Sequence, residues 1–139
     1  MHLFIKFLFI YLIFSSNVLA AKLNYFEEGK IFFEQKNFEK SKILFEKSIV
    51  FNPKDEKSYL YLAKIFKTHD NDQQQEMNLN SVLLLNPKND EALYMLILIK
   101  IKQSDYDTVE ELIKQFTLVC NNFCSKENEI KNKFKKLTP

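Results

Sequence analysis

An all-α fold built from repeated helix pairs is what the sequence predicts, and three observations predict it. Ser48 to Ala63 reads SIVFNPKDEKSYLYLA and Ser81 to Leu96 reads SVLLLNPKNDEALYML, so Asn52-Pro53 and Asn86-Pro87 stand 34 residues apart in matching surroundings. Between these marks apolar residues recur at helical spacing: Tyr59, Leu62, Ala63 and Phe66 follow the i, i+3, i+4, i+7 pattern of one helix face. A single glycine and three prolines in 139 residues are too few for a loop-rich or all-β chain.

The elements follow in order. Lys6 precedes the apolar run FLFIYLIF (residues 7–14), and SSNVLA follows, with Val18 and Ala20 as small residues before a cut between Ala20 and Ala21. That layout predicts a cleavable secretory signal peptide over residues 1–20 and an exported chain, periplasmic or secreted. An uncleaved membrane anchor needs about 20 apolar residues. The run here is shorter, so no stable membrane insertion is expected once the signal is removed.

Tyr25, Gly29 and Phe32 mark a first helix face, Gln35-Lys36-Asn37 a polar turn, and Phe38, Ser41, Leu44, Phe45, Ser48 and Ile49 a second stripe. Each unit therefore reads helix, short turn, helix. Proline ends the second helix because it lacks a donor and restricts the residue before it. Asp55 and Asp90 stand where the next helix wants an N-cap. The polar run HDNDQQQ (His69 to Gln75) predicts a late start for the second helix of the middle unit, and Ser104-Asp105-Tyr106-Asp107 gives the third turn. In the closing SKENEIKNKFKKL, Ile130, Phe134 and Leu137 share a helical face, which predicts a further helix covering the last apolar surface of the stack.

These residues resemble the tetratricopeptide repeat family, whose period is 34 and whose unit is two antiparallel helices. Aligned on Gly29, the repeats cover 22–55, 56–89 and 90–121, leaving 122–139 as capping helix and tail. The family's large fourth place is Tyr25, Tyr59 and Leu93, its small eighth place Gly29 and Ala63, and its closing proline Pro53 and Pro87. Glu28, Gln75 and Phe116 depart from the pattern, and Asn121 stands where a third proline would be. The resemblance implies three antiparallel helix pairs in a right-handed superhelical array with a C-terminal cap, and a small exported bacterial protein of this family.

Composition narrows the chemistry. The formal charge of +2 becomes +1 without residues 1–20, which carry one lysine and no acid, and all 20 basic residues are lysine. Nothing there favours nucleic acid, whose phosphates and guanines are read best by arginine. Apart from His69, in a polar turn, no histidine follows the signal, and no nucleophile motif, phosphate loop or metal-ligand cluster accompanies it. The expectation is a non-catalytic chain with no cofactor and no metal.

Cys120 and Cys124 admit three readings. In an oxidising compartment a structural disulfide between them is favoured, fixing the cap against the third repeat. A redox-active dithiol is the enzymatic alternative, a thiol-disulfide oxidoreductase, although that chemistry usually spaces its cysteines by two residues and here three intervene. A metal site would need further ligands. Small exported repeat proteins with a C-x-x-x-C after the last repeat are similar to this chain and support the structural reading.

The family resemblance also implies a concave groove lined by the first helices, which takes up a protein or peptide segment. Its places fall on Phe26, Lys30 and Phe33, on Leu60, Lys64 and Lys67, and on Tyr94: an apolar floor beside a lysine row, suited to an extended segment with apolar anchors and an acidic group. Lys30 and Lys64 occupy places where some relatives carry carboxylate-clamping asparagines, so binding of C-terminal chaperone peptides is not expected. The alternative function is that of a structural subunit that self-associates or joins a larger complex.

Overall fold

The computed structural model describes residues 25–137. The signal-peptide expectation, and the first three residues of the expected first repeat, lie outside them. Among the described residues there are seven α-helices and no strand: α1 Tyr25–Glu34, α2 Phe38–Phe51, α3 Glu56–Thr68, α4 Asp72–Leu85, α5 Asp90–Lys102, α6 Tyr106–Val119 and, after a 3-10 turn at Cys124–Lys126, α7 Glu127–Lys135. No described helix is long and apolar enough to cross a membrane.

The sequence period reappears as repeated local geometry. Each turn inside a pair places one residue in the left-handed region: Lys36 (φ 59°), Asp70 (φ 52°) and Ser104 (φ 60°). The residue after it caps the second helix. Asn37, Asn71 and Asp105 accept the backbone N–H of Lys40, Gln74 and Thr108. At the far end, the N–H groups of Asn52, Asn86 and Cys120 donate to the carbonyls of Ser48, Val82 and Phe116 at 2.7–2.8 Å. Side-chain and backbone caps thus satisfy groups that a helix end leaves without partners.

Two of the expectations need correction here. The second helix of the middle pair does not start late: α4 begins at Asp72, in step with α2 at Phe38 and α6 at Tyr106. Asn71 supplies the cap, so the polar run is absorbed as turn, cap and first helical turn. Asp90 does not cap α5 either. Asn89 does, accepting the N–H of Ala92 at 2.8 Å, which leaves the Asp90 side chain inside the first turn for other use.

The chain divides into two compact units that part between Ser58 and Tyr59, within α3. In the first, α1 and α2 pack closely through Gly29. A β-carbon built there would lie 2.8 Å from the Phe45 ring, so hydrogen is the only substituent that the approach admits. The Ser41 hydroxyl donates to the Gly29 carbonyl at 2.8 Å and holds the crossing. Tyr25 stacks on Phe51 at 5.5 Å. Behind them Asp55 accepts both the Ser48 and Ser58 hydroxyls, tying the end of α2 to the start of α3.

The second unit encloses one apolar cluster. Ala63, Leu79, Val82, Leu93, Ile97, Val109, Phe116 and Ile130 are fully buried in it. Ile130 brings α7 into that cluster, with Phe134 half-buried beside it; Leu137, past the helix end, stays exposed. The narrow apolar face of α7 therefore works as the sequence suggests, through two of its three positions. Half-buried ion pairs align α4 with α5: Lys100 meets Glu76 at 2.6 Å, and Gln103 donates to the same carboxylate at 2.7 Å. Lys102 meets Asp72 at 2.5 Å.

Candidate functional site

The side chains expected to face a partner come from the first helices, and each unit presents its own set. In the first unit Phe26, Lys30 and Phe33 are all half-buried on α1. The Phe26 ring tilts against Phe45 at 5.8 Å, with the Lys57 ammonium 5.9 Å from its centroid. Phe33 meets Phe38 edge-on at 5.5 Å. Lys30 lies 3.7 Å from Glu27, an i, i+3 pair at the surface that is screened by water. Two aromatic rings are therefore held by aromatic partners behind them while part of each remains at the surface.

In the second unit Leu60 is half-buried, Lys67 is exposed, and Lys64 is committed. Its ammonium sits 2.9 Å from Glu91 on α5 and 5.0 Å from the Tyr61 ring. Of the expected lysine row in this unit, Lys67 is thus the one presented without a carboxylate in contact among the described residues. Helix spacing on α3 made Lys64 a surface candidate; the acid that meets it comes from 27 residues further on, which no local pattern reveals.

Tyr94, on α5, is engaged by the chain's own C-terminal segment. Its hydroxyl donates to Glu129 of α7 at 3.1 Å, and its ring lies 5.8 Å from Phe123 and 5.9 Å from the Lys126 ammonium. Burial first, then the adjacent Glu129 carboxylate, pushes its phenol above the ordinary tyrosine value. The hydroxyl therefore stays protonated and acts as a donor.

A residue that sequence reasoning cast only as a cap organises the same region. Asp90 is buried, and its Oδ2 accepts the backbone N–H of Asn121 at 2.7 Å and of Phe123 at 2.9 Å. Burial pushes its carboxyl up, but the N–H groups of Asn121, Phe123, Asn122 and Glu91 outweigh that and hold it below the usual aspartate value. Counting forward by 34 from Asp55 gives Asn89, so the period itself separated the cap from Asp90. The loop that Asp90 grips contains Cys120 and Cys124, whose sulfurs are at bonding distance with their α-carbons 5.1 Å apart, inside the range a bridge requires. His69 is exposed in its turn. No group of metal-ligating side chains occurs among the described residues.

Comparison of the sequence with protein-family models and with curated proteins returns no match. Comparison of the structure does. The Arabidopsis OM64 TPR domain superposes with a TM-score of 0.75, covering 86% of this chain and 98% of that one at 16% identity. The chain has the tetratricopeptide-repeat fold. The first TPR of Spaghetti (RPAP3), solved bound to the HSP90 peptide SRMEEVD, gives 0.72 at 15% identity over 84% of this chain and 92% of that one. The TPR2B domain of yeast Sti1, in a complex with pHsp70, gives 0.69 at 17% identity over 84% and 94%. Identities this low carry the fold. In tetratricopeptide terms α1, α3 and α5 are the first helices of three pairs, α2, α4 and α6 the second, and α7 follows the last pair.

Proposed function

We propose that the chain is a non-catalytic protein-interaction module that binds a partner segment on the exposed side chains of its first helices. The observation that carries this reading is the state of Phe26 and Phe33: each is braced from behind by another ring yet keeps part of its surface open. Rigid, half-exposed aromatics are the side chains that anchor partners with least loss of conformational freedom. The second unit, taken by itself, offers Leu60 as an apolar contact and Lys67 as an ammonium. The solved domains of this fold that hold HSP90 or pHsp70 ligands support the class of ligand, a peptide segment, without naming it for this chain.

The finer parts of the proposal rest on sequence. The layout of residues 1–20 supports export, and an oxidising compartment would keep Cys120 and Cys124 joined. Because Lys64 already has Glu91, the acidic group of a partner is assigned to Lys67 rather than to a lysine row.

Photo-crosslinking in the native host tests the proposal, with a reactive residue at Phe33 and a control at exposed Lys47 on α2. One discrete product from Phe33 and none from Lys47 is expected. Equal labelling from both positions, or none from Phe33, overturns it.

A further inference from the structure

The second helices raise a separate question, because each exposes residues at the same places of the 34-residue period. Spacings of four, three and four residues define one outward stripe per helix: Glu39, Ile43, Glu46 and Val50 on α2; Gln73, Met77, Asn80 and Leu84 on α4; Asp107, Glu111, Lys114 and Leu118 on α6. All twelve are exposed. Alternation of three and four is the spacing by which one helix seats along another. The last place is aliphatic in every stripe, with Val50, Leu84 and Leu118 76%, 85% and 84% exposed. A stripe carrying charged side chains resists pairing with its own copy, because those charges would be taken out of water.

Only the α4 stripe lacks that protection. Its four residues carry no charge, and Met77 is 55% exposed. The two acids of α4, Asp72 and Glu76, are engaged by Lys102 and by Lys100 with Gln103, all from α5 or its end. An open cleft of about 580 Å³ borders the stripe, lined by Asp72, Gln73, Glu76, Met77, Asn80 and Gln103. Lys88 is exposed just beyond the helix C-terminus, while Asp72 keeps part of its carboxylate at the surface of the N-terminus.

We propose that the α4 stripe is a self-pairing surface on which two copies of the chain meet antiparallel, centred between Met77 and Asn80. Such a pair is closed by a two-fold axis and leaves no free end to propagate. It lays Leu84 of each copy over the Gln73 end of the other, where the cleft gives it a recess. It sets Met77 beside Asn80 of the second copy, twice. Lys88 of each copy arrives at the Asp72 end of the other, where Lys102 leaves part of the carboxylate exposed to it, and the two helix dipoles run in opposite directions. A parallel pair would bring Asp72 against Asp72. The surface lies on a second helix and involves none of the first-helix side chains assigned to partner binding, so either assignment can fail alone.

Sedimentation of the purified full-length chain across a dilution series up to about 0.2 mM tests this, since a seam of one helix per copy implies a weak, micromolar-class association. The expected result is a mass of two chains at the top of the series falling to one on dilution. Leu84→Lys shifts the midpoint about tenfold or more toward higher concentration, and Leu118→Lys leaves it in place. Both positions are exposed, so both variants keep the wild-type circular dichroism. A single-chain mass at every concentration overturns the proposal. So does an association that Leu84→Lys leaves unmoved, or one that Leu118→Lys weakens equally, which would be general apolar stickiness.

Discussion

Asp90 Oδ2 lies 2.7 Å from the backbone nitrogen of Asn121, and this bond joins the first turn of α5 to the loop that leads into α7. With the matching bond to Phe123, one carboxylate decides where that loop runs. Because Phe123 also packs on Tyr94, the grip extends to the side of α5 that Tyr94 occupies.

The carboxyl of Asp90 is held below its ordinary value in the folded chain, so its ionised form is the one that the fold favours. The stabilisation is complete above the unfolded aspartate value, about 3.9, and is lost as pH falls from there through the lowered folded value. Hydrogen exchange should show the Asn121 and Phe123 amides protected at neutral pH and opening first on acidification below about pH 4. Asp90→Ala should bring that opening to neutral pH and cost about 1–3 kcal/mol in urea unfolding, the range for loss of charge-assisted bonds at a buried site. Unchanged protection in Asp90→Ala would show that the loop is placed by other contacts.

The three left-handed turn residues lead to a stabilising substitution. A β-carbon in that region costs about 1–2 kcal/mol, which glycine avoids, although glycine loses more chain entropy on folding. Lys36→Gly should therefore raise stability by about 0.5–1 kcal/mol, read as a higher urea midpoint with unchanged slope. Ser104→Gly should act alike. Asp70→Gly should gain less, because aspartate tolerates this conformation better than lysine does. Destabilisation by Lys36→Gly would mean that the lysine side chain contributes more than its backbone strain costs.

The fold was legible because the period sits in residues that act locally. Asn-Pro pairs stop helices, and apolar spacings set faces; both act through neighbours in sequence, so the helix pairs follow with few errors. Asp90 was misread because a cap and a first-turn acid look alike until the exact register is known, and its true partners lie 31 and 33 residues on. Lys64 and Tyr94 stand on first helices, α3 and α5, but Glu91 and Glu129, which meet them, arrive from other helices. Helix spacing gives the direction of a side chain. Contact across helices decides whether it remains available.

Gly29 should resist the smallest substitution. Gly29→Ala gains about 1 kcal/mol of helix propensity, but its new methyl meets the Phe45 ring at 2.8 Å, and Phe45 is fully buried. Overpacking of this kind costs about 1–3 kcal/mol. A net loss of about 1 kcal/mol is expected. Phe45→Leu should make the same Gly29→Ala change less costly, a coupling that a double-mutant cycle in urea reads directly. Additive effects of the two changes would place the strain elsewhere.

The Cys120 and Cys124 sulfurs stand at bonding distance, and a bridge between them would close a loop of five residues around the segment that Asp90 grips. Closing so short a loop stabilises the folded chain by about 2 kcal/mol through the entropy of the unfolded one. Reduction, or the pair Cys120→Ser and Cys124→Ser, should lower stability by about that amount and leave α-helical circular dichroism unchanged, because every helix has its core contacts without the bridge. The local effect should be larger than the global one. Asn121 and Phe123 lie within the closed loop, so their amides should exchange faster after reduction at neutral pH, while the Ile97 and Phe116 amides, deep in α5 and α6, change only with global stability. Mass measurement after alkylation without reductant establishes the starting state: no adduct on either cysteine is expected. If the amides of Asn121 and Phe123 kept full protection after reduction, the Asp90 carboxylate alone would be holding the loop, and the bridge would be dispensable for placing α7.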